Sequence, residues 1–156
     1  MDDPVTRYRA VHEDLEALFA RFSDQDVIAP GNIGTWALRD VMAHLAAWDI
    51  WARRAIEVRL TADDLPAEMN EEARNPDPFN ARAAEAWKGY TAAEARAAFS
   101  QAFADLEYFI QTTPHDQLSR QIVRPNGKTS SPVSTLVALA RHSSEHCAEL
   151  GRLLNP

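Results

Sequence analysis

Apolar residues recur along this chain in steps of three and four, the repeat that gathers them on one face of an α-helix. From Pro4, a residue tolerated at a first helical position, Val5, Tyr8, Val11, Leu15, Leu18, Phe19 and Phe22 carry that rhythm and predict a helix ending near Ser23. Pro30-Gly31 and Gly34 break the pattern, so residues 24–34 read as a surface connection before Thr35, a candidate N-cap. Leu38, Val41, Met42, Leu45, Trp48, Trp51, Ala55, Ile56 and Leu60 then predict a second helix reaching about Thr61.

From Ala62 to Tyr90 the composition changes to prolines, acids and asparagines, with a short helical piece between Phe79 and Trp87, which reads as a long crossover. Thr91 and Glu94 form a T-x-x-E capping box that opens a third helix through Ala95, Phe99, Phe103, Leu106, Phe109 and Ile110, closed by Pro114. Residues 115–132 form a second connection turned by Pro125-Asn126-Gly127; Ile122 and Val123 suit a brief pairing, but no sheet is implied. A fourth helix runs from about Val133 to Leu154 on the stripe Leu136, Leu139, Ala140, Cys147, Leu150 and Leu153. Helices of roughly 20 to 26 residues, each about 30 to 39 Å long, are matched and one-sidedly apolar. They predict an all-α four-helix bundle with a long crossover between helices two and three. Phe19, Phe22, Trp48, Trp51, Phe99, Phe103 and Phe109 are expected to seal its core.

The length of 156 residues, 46% of them apolar, suits a single domain over 1–156 that buries roughly 70% of the surface of its unfolded chain. With 23 acidic against 16 basic residues, the net charge of −7 supplies no basic footprint, which argues against nucleic-acid and membrane-surface partners. The lone cysteine, Cys147, excludes a disulfide framework and a cysteine-rich zinc module and suits a reducing compartment. Met1-Asp2-Asp3-Pro4 is acidic where a secretory leader is basic, and no apolar stretch approaches the ~20 residues of a membrane span, so the expected location is cytoplasmic.

The histidines carry the candidate chemistry. His44 shares its stripe with Val41, Trp48 and Trp51, and His142 and His146 sit four apart on the stripe of Leu139 and Leu150. An i, i+4 pair sets two imidazoles on one face, and a third from a facing helix completes a three-nitrogen site with coordination positions left open. That is the arrangement of catalytic zinc, and imidazole also suits nickel, copper or iron(II). The ordinary alternative is three core histidines, each hydrogen-bonded to a neighbour. Each ring then needs both a donor and an acceptor in an apolar interior, whereas one divalent ion satisfies all three acceptor nitrogens.

Around them, Asp40 stands one turn before His44 and is a candidate to orient it, a role that competes with simple stabilisation of the helix start. Glu149 lies nearer the direction of His142 than Glu145 does and is a candidate to orient a ring nitrogen, the alternative being a solvated charge. His12 falls on the inward face of helix one near Tyr8 and Leu15, placed either to bond within the site or to pack. His142-Ser143-Ser144-Glu145-His146 also matches the H-x-x-E-H peptidase motif, but such peptidases need a further carboxylate ligand well downstream and only ten residues follow His146. Di-iron chemistry lacks its Glu-x-x-His pairs, and no phosphate loop, dinucleotide fingerprint or serine elbow is present.

The block Thr35-Trp36-Ala37-Leu38-Arg39-Asp40-Val41-Met42-Ala43-His44-Leu45-Ala46-Ala47-Trp48, followed by His142-Ser143-Ser144-Glu145-His146-Cys147-Ala148-Glu149-Leu150, resembles the DinB/YfiT-like superfamily over most of the chain. The resemblance implies an up-and-down four-helix bundle, often a homodimer, in which His44, His142 and His146 hold a divalent metal, zinc or nickel. Relatives include bacillithiol-dependent transferases and mycothiol-dependent maleylpyruvate isomerases, whose metal activates a low-molecular-weight thiol, and ClbS/DfsB-like proteins, which act on reactive small molecules. The function it implies is a thiol-dependent transferase or isomerase acting on a small electrophile. A metal-dependent hydrolase, a non-catalytic metal or small-molecule binder in stress resistance, and a purely structural protein are the alternatives. Substrate contacts are expected from the crossover, where Asp77-Pro78-Phe79-Asn80 makes Asn80 the candidate substrate-side residue; the competing reading is a helix cap.

Overall fold

The computed structural model describes residues 3–156; of the acidic opening, Met1 and Asp2 lie outside the described residues. Helix α1 (Pro4–Phe19) starts where the Asp3 carboxylate accepts from the Thr6 amide, and Pro4 takes a position whose missing N–H goes unused. It stops at Phe19, short of the expected Ser23, because Ser23 and Asp26 cap a separate helix, α2 (Asp24–Ile28), whose Val27 is fully buried. Helix α3 (Leu38–Arg59) begins after Ala37 and not after Thr35, since Asp40 closes its first turn by accepting from the Ala37 amide at 2.9 Å.

The crossover contains two helices, α4 (Ala67–Arg74) and α5 (Asp77–Ala86), where the sequence suggests one short piece; Pro66 and Pro76 precede them and punctuate the chain without breaking either. Helix α6 (Ala92–Thr112) opens on the predicted Thr91/Glu94 capping box. The turn α7 (His115–Leu118) follows. A minimal antiparallel ladder then pairs β1 (Ile122–Val123) with β2 (Thr129–Ser130), in register Ile122 to Ser130, where no sheet was expected. Gly127 turns it at φ +75°, a conformation that side chains rarely adopt. A 3-10 turn, Pro132–Ser134, leads into α8 (Thr135–Leu154).

The core has two main ends. Leu38 and Val41 from the start of α3 meet Ala92 and Ala95 from the start of α6, against Leu15 and Phe19 from the end of α1 and Leu150 near the end of α8. At the other end Ile56 and Ile110, late in α3 and α6, meet Tyr8 and Leu136, early in α1 and α8. The four long helices therefore run up, down, down and up, and the long crossover is what lets α3 and α6 lie parallel. Helix α3 packs chiefly on α6, and α8 chiefly on α1. Arg96 ties the pairs together by donating to the carbonyls of Phe19 and Phe22, each at 2.8 Å.

The aromatic seal is thinner than the periodicity suggests. Phe19 and Phe99 are buried, whereas Phe22, Trp48, Trp51, Phe103 and Phe109 are half-buried, the two tryptophans because they face a cavity. Leu153 is exposed in the last turn of α8. Among the described residues no helix is long and apolar enough to cross a membrane.

Candidate metal centre

His44 projects from the first half of α3, and His142 and His146 project one turn apart from α8. Their Nε2 atoms form a triangle: 3.0 Å from His44 to His142, 3.2 Å from His44 to His146 and 3.1 Å from His142 to His146. A tetrahedral ion with Zn–N bonds of about 2.0–2.1 Å sets its nitrogens about 3.3 Å apart, so the triangle is within a few tenths of an ångström of that size.

The outer nitrogens decide which atoms carry protons. The Trp48 indole can only donate, and it donates to Asn80 Oδ1 at 2.9 Å; the same oxygen lies 2.9 Å from His44 Nδ1, so His44 must donate there as well. His146 Nδ1 donates to the Glu149 carboxylate at 2.7 Å. With both protons committed outward, the Nε2 lone pairs of His44 and His146 face each other at 3.2 Å. A cation at the centre relieves that repulsion, and the donor set fits a divalent metal. Burial, then the neighbouring His142 and His146, holds His44 down to about 3, and burial likewise lowers His142. Both rings are thus in the neutral form that ligates.

The remaining candidates divide. Asn80, expected at the substrate side, lies in the cavity wall, but its oxygen is engaged by His44 and Trp48. Glu149 meets a ring nitrogen of the triad, Nδ1 of His146. Asp40 is not brought to His44, because the free Ala37 amide at the helix start captures its carboxylate. His12 lies outside the triad: it is 2% exposed, stacks on Phe103 with ring centroids 3.7 Å apart and meets Glu16 at 3.3 Å. Glu145 of the H-x-x-E-H match is exposed.

Sequence reasoning missed a buried acid. Asp49 is 1% exposed on α3 and accepts from the Tyr8 hydroxyl of α1; the other Asp49 oxygen, Oδ2, has no partner. Burial pushes the Asp49 carboxyl up to about 7, against the hydrogen bond from Tyr8. Its signal was available, since Asp49 continues the buried stripe of Leu45, Ala52 and Ile56. A cavity of about 540 Å³ opens beside His44 and His142, walled by Trp48, Trp51 and Asn80 and, further off, by Arg59 and Thr135.

Known structures share this architecture. The mycothiol-dependent maleylpyruvate isomerase matches with a TM-score of 0.71 at 17% identity, over 95% of this chain and 59% of that one. The chain thus spans about three fifths of the isomerase's length. YfiT from Bacillus subtilis, described as a probable metal-dependent hydrolase with an unusual four-helix bundle topology, matches with a TM-score of 0.60 at 18% identity, over 96% of this chain and 83% of that one. At these identities the likeness shows the fold. No curated protein sequence matches. The model of the mycothiol maleylpyruvate isomerase N-terminal domain matches residues 8–150, nearly the whole bundle with all three histidines inside it. The chain therefore belongs to the mycothiol maleylpyruvate isomerase N-terminal domain family, within the DinB/YfiT-like superfamily.

Proposed function

We propose that this protein is a divalent-metal-dependent enzyme, with His44, His142 and His146 as ligands, that uses a low-molecular-weight thiol to transfer to, or isomerise, a small electrophile. The reading takes residues 1–156 as one functional domain, and family resemblance supports a cytoplasmic homodimer. One observation carries it: three Nε2 atoms converge within 3.2 Å while the protons of two of the rings are held outward by Asn80 and Glu149. Zinc and nickel suit three neutral imidazoles. When bound, such an ion supplies Lewis acidity that makes a thiol or a water nucleophilic near neutral pH.

The chain's own residues do the rest. Asn80 and Glu149 fix the orientation of His44 and His146, a role that elsewhere changes metal affinity by about 10- to 100-fold. Trp48 and Trp51 form an apolar wall that limits water around the reacting atoms. The cavity, about 540 Å³, is of a size that seats a small molecule beside the triad.

Likeness to YfiT favours a second reading, hydrolysis with water in place of the thiol. A third, a binder without turnover, uses the same site. Elemental analysis of protein purified without an affinity tag, followed by reloading with zinc or nickel, tests the ligand set. Loaded protein is then assayed for conjugation of a thiol with a chlorodinitrobenzene. Thiol-dependent turnover that disappears in His44→Ala supports the enzyme, ester hydrolysis without thiol supports the second reading, and metal retention without either supports the binder. Failure to take up one equivalent of metal removes all three.

A further inference from the structure

The chain carries a net charge of −7, yet the cavity beside the triad is lined by Arg59, Arg124 and Arg141 and by no aspartate or glutamate. Among the described residues none of these three arginines forms an ion pair. Arg59 donates one Nη to Thr135 Oγ1 at 3.0 Å, while its Nε is buried with no acceptor. Arg124 bonds Ser130 Oγ through Nε at 3.2 Å and leaves its outer nitrogens free. Trp51, on the same wall, also has an indole N–H buried without an acceptor. The wall therefore has donors and positive charge in excess and no carboxylate to match them.

Burial and the charge of Arg124 both hold the Arg59 guanidinium below its usual pKa, with only Asp64 pulling the other way. Two guanidiniums facing one cavity repel, and a bound oxyanion relieves the repulsion while accepting the unused N–H groups. The position of this group is set by Thr135, which precedes His142 by about two turns of α8, roughly 10 Å along the axis.

We infer that this wall is an anion subsite. The cavity takes an elongated small molecule whose carboxylate or phosphate end lies on Arg59 and Arg124 and whose reactive end lies at the histidines roughly 10 Å away, where exposed Arg141 adjoins His142. The inference deepens the proposed function and rests on it for the histidine end alone.

Titration of the zinc-loaded full chain with ω-mercaptoalkanoic acids of graded length, their neutral amides and the matching mercaptoalkyl phosphates, followed by tryptophan fluorescence and by heat, tests it. Acids or phosphates long enough to span ~10 Å are expected to bind about tenfold or more tightly than amides of the same length. Which anion binds better identifies the group. The preference should vanish in Arg59→Gln and in Arg124→Gln while amide affinity stays unchanged; Arg124 is exposed, so its variant serves if Arg59→Gln does not fold. Equal binding of acid and amide, or a preference that survives both substitutions, overturns the subsite. Thiol-free alkanoates separate this from the metal reading. If zinc is not held, thiol and thiol-free chains bind alike yet acids still exceed amides; if only the subsite is wrong, thiols exceed thiol-free chains with no preference for acids.

Discussion

His44 and Asn80 come from different helices, α3 and the crossover helix α5, and meet Nδ1 to Oδ1 at 2.9 Å on an oxygen that also accepts from Trp48. Asn80→Ala strips both donors of their acceptor and frees the His44 ring to change tautomer. Zinc affinity, measured by competition with a chromophoric chelator, should fall by about 10- to 100-fold, while Asn80→Asp, which keeps an oxygen there, should retain most of it. Unchanged affinity in Asn80→Ala would remove Asn80 from the site's construction.

Glu149 stands to His146 as Asn80 stands to His44. Glu149→Gln replaces a carboxylate by an amide that can present its NH₂ to a ring donor, and about a tenfold loss in zinc affinity is expected. Glu145→Gln, at an exposed position, should change neither affinity nor turnover. A large loss of turnover at Glu145 would restore the peptidase reading of H-x-x-E-H.

Metal should stabilise the fold. At a thousandfold excess over Kd, zinc adds about 4 kcal/mol to the unfolding free energy, an increment that a chelator abolishes and His142→Ala prevents. The metal-free protein has its own acid dependence. His44 titrates near 3 when folded against 6.5 ordinarily, so between those values the unfolded chain binds a proton that the native state refuses. Urea midpoints of the apo protein should fall as pH drops from 6.5 toward 3, and His44→Gln should flatten that slope.

Asp49 acts with the opposite sign. Its carboxyl titrates near 7 when folded against 3.8 ordinarily, so the native state holds the extra proton and stability declines as pH rises from 3.8 to 7. The loss amounts to up to about 4 kcal/mol across that window. Asp49→Asn should remove it, and its stability relative to the parent should climb with pH and level off above 7. Parallel curves for parent and variant would show that Asp49 is already ionised in the folded chain.

Much of this was legible in the sequence, because periodicity reports which way a side chain faces. The stripes of the four long helices, the Thr91/Glu94 box and the inward setting of His44, His142 and His146 all follow from local spacing. What spacing does not report is which of several reachable partners wins. Asp40 is the candidate that spacing offers to orient His44, and Asn80 is offered only for the substrate side; the amide at a helix start claims the first, and chain packing across 36 positions brings the second to His44. Pro66 and Pro76 read as breaks in the crossover although each introduces a helix. Asp49 sits on an apolar stripe, and only its neighbour Tyr8, on another helix, explains how an acid is tolerated there.

Because α3 is seated on α6 and α8 on α1, with much less between α3 and α8, the molecule behaves as two slabs, and the three imidazoles straddle the seam between them. A cation there works as a rivet. Loading it would slow amide exchange along both facing helices at once, so a metal held by the triad would also govern how far the halves can breathe apart.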